Sequence, residues 1–166
     1  TICEAFYIAR SGRPGPVLID ICKNAQIESC EFVFPEDVKL PGYQPVLRSP
    51  RNLLDQAVEL IERAKKPIIL CGHGVLQSKA EEELMQFAVK THTPVASTLL
   101  GLGAFPASHP LSLGMMGMHG EVHTNLAIQN SDLILAFGMR FDDRVTGTLK
   151  TYAPRAKKIH IEIDPS

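Results

Sequence analysis

Tryptophan is absent, and aromatic residues make up only 6% of the 166 residues. Proteins that stack nucleobases need aromatic platforms, and few are available. An excess of one charge is also missing: 17 Lys+Arg stand against 18 Asp+Glu, for a net charge of −1 and no basic run. That excludes the electrostatic footprint of a nucleic-acid partner. The four cysteines, Cys3, Cys22, Cys30 and Cys71, show no CxxC or other metal spacing, so reduced thiols in a cytoplasmic protein are expected. No apolar run approaches the roughly 18 residues needed to span a membrane, so no membrane partner is expected. The opening TICEAFYIARSG lacks the charged and apolar regions of a signal peptide.

What is present is ordinary for a globular chain: 45% hydrophobic and 21% charged residues. The length suits one domain, or one domain plus part of another. Thr1 opens inside a helical pattern and DPS follows directly on a strand, so an excised fragment is expected.

The most informative stretch runs from Gly114 to Gly147. Glu121 to Asn130 reads as a helix with an apolar stripe of Val122, Leu126 and Ala127. Gly120 and Glu121 would leave unpaired N–H groups at its positive end, aimed into the GMHG loop, as anion-binding helix starts do. Leu133 to Phe137 is apolar throughout, the mark of a parallel strand covered on both faces. Gly138 follows, and then Arg140, Asp142, Asp143 and Arg144 gather at the strand's carboxyl end, where open α/β sheets bind ligands. Blander readings stand beside these. Met115, Met116 and Met118 also suit flexible core filler, and the Arg/Asp cluster also suits a solvated ion-pair group. His119 and His123 lack the zincin arrangement, because Gly120 stands where a glutamate is needed; no metal site is expected.

The remainder alternates helix and strand. Ile2 to Ser11 reads as a helix tail, Gly12 to Pro16 as a turn and Val17 to Ile21 as a short strand. Residues 24–49, with prolines at 35, 41 and 45, read as a linker. Ser49 and Pro50 then start a helix with a broad apolar face (Leu53, Leu54, Ala57, Val58, Leu60, Ile61 and Ala64) that ends at Lys65-Lys66. Strand Pro67–Cys71 leads into Gly72-His73-Gly74. A helix is expected over Ser78–Lys90, a strand over Pro94–Thr98, a short helix over Val145–Tyr152 and a strand over Ile159–Ile163. The fold is therefore α/β, a doubly wound parallel sheet whose carboxyl-end loops share one crevice. GHG alone is a weak nucleotide signal, since Gln77 occupies the third fingerprint glycine's place. Glu162, at a strand end, suits ribose hydroxyls or a surface carboxylate.

SGRPGPVLIDI, STLLGLGAFP, LGMMGMHG, NLAIQNSDLILAFGMRFDDRVTG and IHIEIDPS together resemble the acetolactate synthase (acetohydroxyacid synthase) large subunit, a thiamine-diphosphate enzyme. The resemblance covers nearly the whole chain. It implies that residues 1–23 end a pyrimidine-binding domain, 24–49 are a linker, and 50–166 form most of a Rossmann-like, DHS-like middle domain. In the family that domain is a six-stranded parallel sheet that binds FAD; here it would stop before the last strand. Carried over residue by residue, Arg13, Gly72, His73, Gly74, Thr98, Leu99, Met118, His119, Gly138, Met139, Arg140, Asp142, Arg144, Val145, Glu162 and Ile163 would contact FAD. Lys23, Met118, Asp143 and Arg144 would line the substrate channel. Cys22-Lys23-Asn24 departs from the family's Pro-Lys-Asp at the turn that aims Lys23.

No catalytic residue is expected. The glutamate that activates thiamine belongs to the family's first domain, and the GDG motif that holds Mg²⁺ and the diphosphate belongs to its third; no GDG occurs here. The implied reaction joins pyruvate to a second 2-oxo acid with loss of CO2, in branched-chain amino-acid biosynthesis. It needs thiamine diphosphate and Mg²⁺ bound elsewhere, in a homodimer or homotetramer with a possible small regulatory subunit. The segment would be inactive alone. Glyoxylate carboligase, the FAD-independent catabolic acetolactate synthase and a non-catalytic nucleotide-binding module are the alternatives.

Overall fold

The computed structural model describes residues 1–35 and 37–164. The chain divides into two compact units, Thr1–Ser49 with Ile163–Ser166, and Pro50–Glu162.

In the first unit, α1 (Ile2–Arg10) ends where Ser11 closes back on Tyr7. Gly12 turns the chain at φ +56°, beneath Tyr43, whose hydroxyl donates to the Ser11 carbonyl at 2.9 Å. The strand expected over Val17–Ile21 does not form: that stretch has no regular secondary structure, with Leu18 93% exposed. An apolar run becomes a strand only when a neighbouring ladder takes up its N–H and C=O groups. The expected linker begins with a short helix, α2 (Lys23–Ile27), and is otherwise irregular.

The second unit is built on a five-stranded, fully parallel sheet. Its strands are β1 (Pro67–Cys71), β2 (Val95–Ser97), β3 (Ser112–Met115), β4 (Leu133–Phe137) and β5 (Lys157–Ile161), in the order β3-β2-β1-β4-β5. β1 and β4 are apolar at successive positions because both faces of the sheet are covered. Ile69, Cys71, Leu133 and Leu135 join one core cluster, packed with Leu60, Ile61 and Phe87; Ile68, Leu70, Ile134 and Ala136 join the other, packed with Ala127 and Phe141. The doubly wound parallel reading therefore holds, with an additional strand. β3 overlaps the start of what reads from sequence as a Met/Gly/His loop, and Ser112–Met115 carries no alternating pattern to reveal it.

Helix α3 (Arg51–Arg63) has Pro50, not Ser49, as its cap. Only the far part of its apolar face is used: Leu60, Ile61 and Ala64 pack on the core, while Leu53, Leu54 and Val58 are about half exposed. The helix expected over Ser78–Lys90 is two helices. α4 (His73–Ser78) starts directly from the GHG loop and stops at Lys79 in the left-handed region (φ 56°). α5 (Glu81–Thr91) then starts with Glu81, Glu82 and Glu83 at its positive end. α6 (Val122–Asn130) buries Thr124 and Ile128; of the expected apolar stripe Ala127 packs on the core, whereas Val122 and Leu126 are exposed. The helix expected over Val145–Tyr152 is instead α7 (Asp143–Thr146) followed by a 3-10 turn at Leu149–Thr151. β5 begins two residues earlier than expected, at Lys157.

Two local devices set the register of the central strands. At the amino edge, the half-buried Asp132 carboxylate accepts the backbone N–H groups of Lys65 and Lys66 at 2.8 and 2.9 Å, and its own N–H donates to Lys66. At the carboxyl edge, the chain runs from β1 toward β2 and from β4 toward β5, so the topology reverses between β1 and β4. There the two exit loops meet backbone to backbone. A Cβ on Gly72 would lie 2.3 Å from the Gly138 carbonyl, and one on Gly74 2.6 Å from the Gly138 Cα. Gly138 itself sits at φ +56°, and Gly74 N–H donates to its carbonyl at 2.9 Å.

Burial alone would raise the pKa of Asp132, but the Lys65 and Lys66 N–H bonds outweigh it and hold the carboxyl below its ordinary value. A depressed folded-state pKa contributes stability above the unfolded carboxylate's value, and that contribution is lost as pH falls through the folded one. Asp132→Asn should therefore destabilise the protein at neutral pH by about 1 kcal/mol, with the gap to wild type closing in acid; urea melts at several pH values would read it, and a pH-independent gap would count against the clamp. Gly138→Ala should cost on the order of 3 kcal/mol, combining left-handed strain with a backbone clash. Gly103→Ala, also at positive φ but with no atom within 4 Å of the new Cβ, should cost only about 1 kcal/mol. Equal costs for the two variants would remove the backbone contact as the cause.

Candidate functional site at the carboxyl edge of the sheet

Because every strand runs the same way, every exit loop emerges on one edge. Gly72, His73 and Gly74 follow β1; Thr98 and Leu99 follow β2; Met118 and His119 follow β3; Gly138, Met139 and Arg140 follow β4; Glu162 follows β5. Thus the residues singled out in Pro50–Glu162 come to a common edge around the β1/β4 reversal. Arg13, Lys23 and Ile163 belong to the other unit. Arg13 pairs there with Asp164 at 3.7 Å. Lys23 is the exposed first residue of α2, with Cys22 as its cap.

The loops are tied to one another in pairs. Thr98 N–H donates to the Cys71 carbonyl at 2.9 Å, and a Cβ on Gly101 would meet that same carbonyl at 2.4 Å. Thr98 Oγ1 accepts from Gly101 N–H, closing the 3-10 turn Leu99–Gly101 and leaving Leu99 and Leu100 68% exposed. His73 Nδ1 lies 3.2 Å from the Leu100 carbonyl, joining the β1 and β2 exits. On the other side, Met118 N–H donates to the Arg144 carbonyl at 2.9 Å, and Arg144 Nη1 lies 3.8 Å from Met118 Sδ.

Two of the N–H groups expected to stand open at the start of α6 are paired. Gly120 N–H donates to Gly117 and Glu121 N–H to Met115, so these two donors are spent within the loop. His123 does not face a partner histidine; its Nε2 lies 3.1 Å from the Leu113 carbonyl, which also accepts from Thr124 Oγ1. That carbonyl is available because the β2/β3 pairing jumps from Ser112 to Gly114 and bypasses Leu113.

The charged cluster has one structural member. Asp142 caps α7: its Oδ1 accepts the N–H groups of Arg144 and Val145 at 3.1 and 3.2 Å. Its ion pair with Arg140 is long, at 3.9 Å, and so is Arg144 with Asp143, at 4.0 Å. Contacts of that length between exposed groups hold neither guanidinium firmly. Arg140 is thus presented to solvent, on a loop whose next residues are fixed. Met139 is buried beneath it, its carbonyl 2.6 Å from His160 Nε2.

Two groups nearby have pKa values raised by burial. Burial pushes the Cys71 thiol up, although Ser97 lies 3.2 Å away, so it remains a protonated core group. Burial likewise pushes Tyr152 up to about 12, and its ring meets Phe141 edge to face. Asn125 and His160, which hold the Gly117 and Met139 backbones, were not evident from sequence. Both lie within segments that carry the family resemblance, NLAIQN and IHIEIDPS, but the resemblance attaches no role to either, and a lone polar residue on a helix or edge strand reads as surface. Among the described residues no three metal-binding side chains cluster, and no helix is long and apolar enough to cross a membrane.

Comparison with known proteins places this arrangement. The chain is 52% identical over 165 residues to the acetolactate synthase large subunit of Corynebacterium glutamicum, covering 99% of this chain and 26% of the relative. It is 54% identical over 163 residues to the chloroplastic acetolactate synthase 2 of Nicotiana tabacum, covering 97% of this chain and 24% of the relative. The chloroplastic acetolactate synthase of Arabidopsis thaliana is 50% identical over 163 residues, with the same two coverages. The chain thus spans about a quarter of the length of these curated relatives. The family described as "Thiamine pyrophosphate enzyme, central domain" matches residues 54–166, and the chain belongs to that family.

Proposed function

We propose that Pro50–Glu162 is the flavin-holding middle domain of an acetolactate synthase, preceded by the end of a pyrimidine-binding domain (1–23) and a linker (24–49). The observation that carries this reading is the meeting of five parallel exit loops on one edge, in a chain about half identical to named acetolactate synthases. The reaction would be the thiamine-dependent joining of pyruvate to a second 2-oxo acid with release of CO2. Thiamine diphosphate and Mg²⁺ would be held by other parts of the enzyme, a homodimer or homotetramer with a possible regulatory subunit. Four free cysteines suit a reducing compartment such as the cytoplasm.

The residues fit an adenine-linked flavin. Glycines at 72, 74 and 138 bring bare backbone to the reversal point, where side chains would stand in the way. Arg140, 63% exposed at its side chain, offers a planar fork for a diphosphate. Leu99 and Met118 offer exposed apolar surface for ring systems. Glu162 lies where an acidic residue accepts ribose hydroxyls. His73, Thr98, His119, Met139, Asp142 and Val145 would shape the same hollow. Met118, Asp143 and Arg144 would line the path to the reacting carbons. When bound, the flavin would close the site rather than undergo net redox change, and the chain's own part is to orient it and exclude water.

In the full-length enzyme, Arg140→Ala should weaken FAD binding by about tenfold or more, the value of a charge-assisted hydrogen bond or two. Equilibrium dialysis against FAD would measure it. Wild-type occupancy in the variant would reject Arg140 as a diphosphate anchor, and a wild-type protein that takes up no FAD would reject the flavin site.

A further inference from the structure

One side chain outside the residues proposed above controls the joint between two of its loops. Asn125, in the second turn of α6, accepts the Gly117 N–H through Oδ1 and donates through Nδ2 to the Gly117 carbonyl, each at 2.9 Å. A single carboxamide thus satisfies both backbone groups of one residue, as an adjacent strand would. Gly117 is buried at φ +100°, and a Cβ there would lie 2.8 Å from the Arg144 carbonyl. The next residue, Met118, donates its N–H to that same carbonyl. Gly117 is therefore gripped by α6 on one side and apposed to the loop bearing Arg144 on the other.

We infer that Asn125 is a positioning residue for the proposed flavin and 2-oxo acid site, an inference that rests on that reading. It acts through Gly117 to hold Met118 against the Arg144 backbone. Without it the GMHG loop keeps its internal turn bonds and the single Met118 N–H bond to the Arg144 carbonyl, too little to hold Met118 and Arg144 in a common register. The role demands a group that is donor and acceptor at once. A carboxylate in its place accepts from Gly117 N–H but sets a negative oxygen against the Gly117 carbonyl.

The test uses the full-length enzyme carrying Asn125→Asp, with Asn125→Ser as the uncharged alternative should the first not fold, and Arg140→Ala as a control. Two quantities are read on folded protein at 25 °C: amide hydrogen exchange over residues 117–120, and the Kd for FAD. The expected result is at least tenfold faster exchange at Gly117 and Met118, with FAD bound about tenfold more weakly. A merely structural asparagine would lower the melting temperature and leave the Kd of the folded protein unchanged. Unchanged exchange overturns the grip, and faster exchange with an unchanged Kd overturns the positioning role. Loss of FAD in Arg140→Ala but in neither Asn125 variant sinks this inference while sparing the flavin site. No FAD uptake by wild type sinks the flavin site, and the positioning role with it.

Discussion

The backbone contact between Gly138 and the Gly72–Gly74 loop is the constraint on which the carboxyl edge depends. The two central strands diverge there, and the space between their exits is filled by peptide groups with no side chains between them. Any Cβ at these positions would have to displace main chain, which is far less yielding than the tip of a side chain. The contact determines where α4 begins and the angle at which Met139 and Arg140 leave β4. It is also what distinguishes GHG here from a dinucleotide fingerprint: its glycines serve packing against a neighbouring loop as well as any approach of a ligand.

Helix α6 shows a second way of fixing a site. Its contacts with the flanking loops are made largely by amides and hydroxyls. Thr124 reaches the Leu113 carbonyl, Asn125 grips Gly117, Gln129 accepts from Ala153 N–H, and Asn130 accepts from Arg155. These bonds, the first three of them between a side chain and backbone, are directional, so they specify loop conformation where apolar packing alone would specify only proximity. Ile128 supplies the apolar anchor, and the polar contacts set the loops around it.

This division explains what was legible in the sequence. β1 and β4 stood out because a strand covered on both faces is written as an unbroken apolar run, and the alternation of helix and strand then implied a parallel sheet. The gathering of GHG, LLGLG and GMRFDDR on one edge followed from the parallel reading alone, whereas GMHG joined them only through β3. β3 did not stand out, because it is a short edge strand containing glycine and broken by a bypassed residue. Val17–Ile21 misled for the converse reason: an apolar run signals a strand only if a ladder is present to receive it. The α6 stripe held only at Ala127, because much of the helix is held by residues that periodicity counts as surface. Asp142 was visible as part of a charged cluster, but its cap on α7 depends on local backbone geometry that composition does not encode.

The order of the sheet also bears on how the protein is made. β1 gains β2 soon after it is synthesised, but its other neighbour, β4, arrives only after β2, β3 and α6 have been laid down. Closing so long a loop costs entropy before any central pairing rewards it. Until Phe137 has left the ribosome, Ile68–Cys71 therefore presents an apolar edge with an unfilled ladder, the kind of surface that invites mispairing. The nascent chain's hazardous interval is thus set by the distance from β1 to β4, and a shorter excursion through β2 and β3 would narrow it.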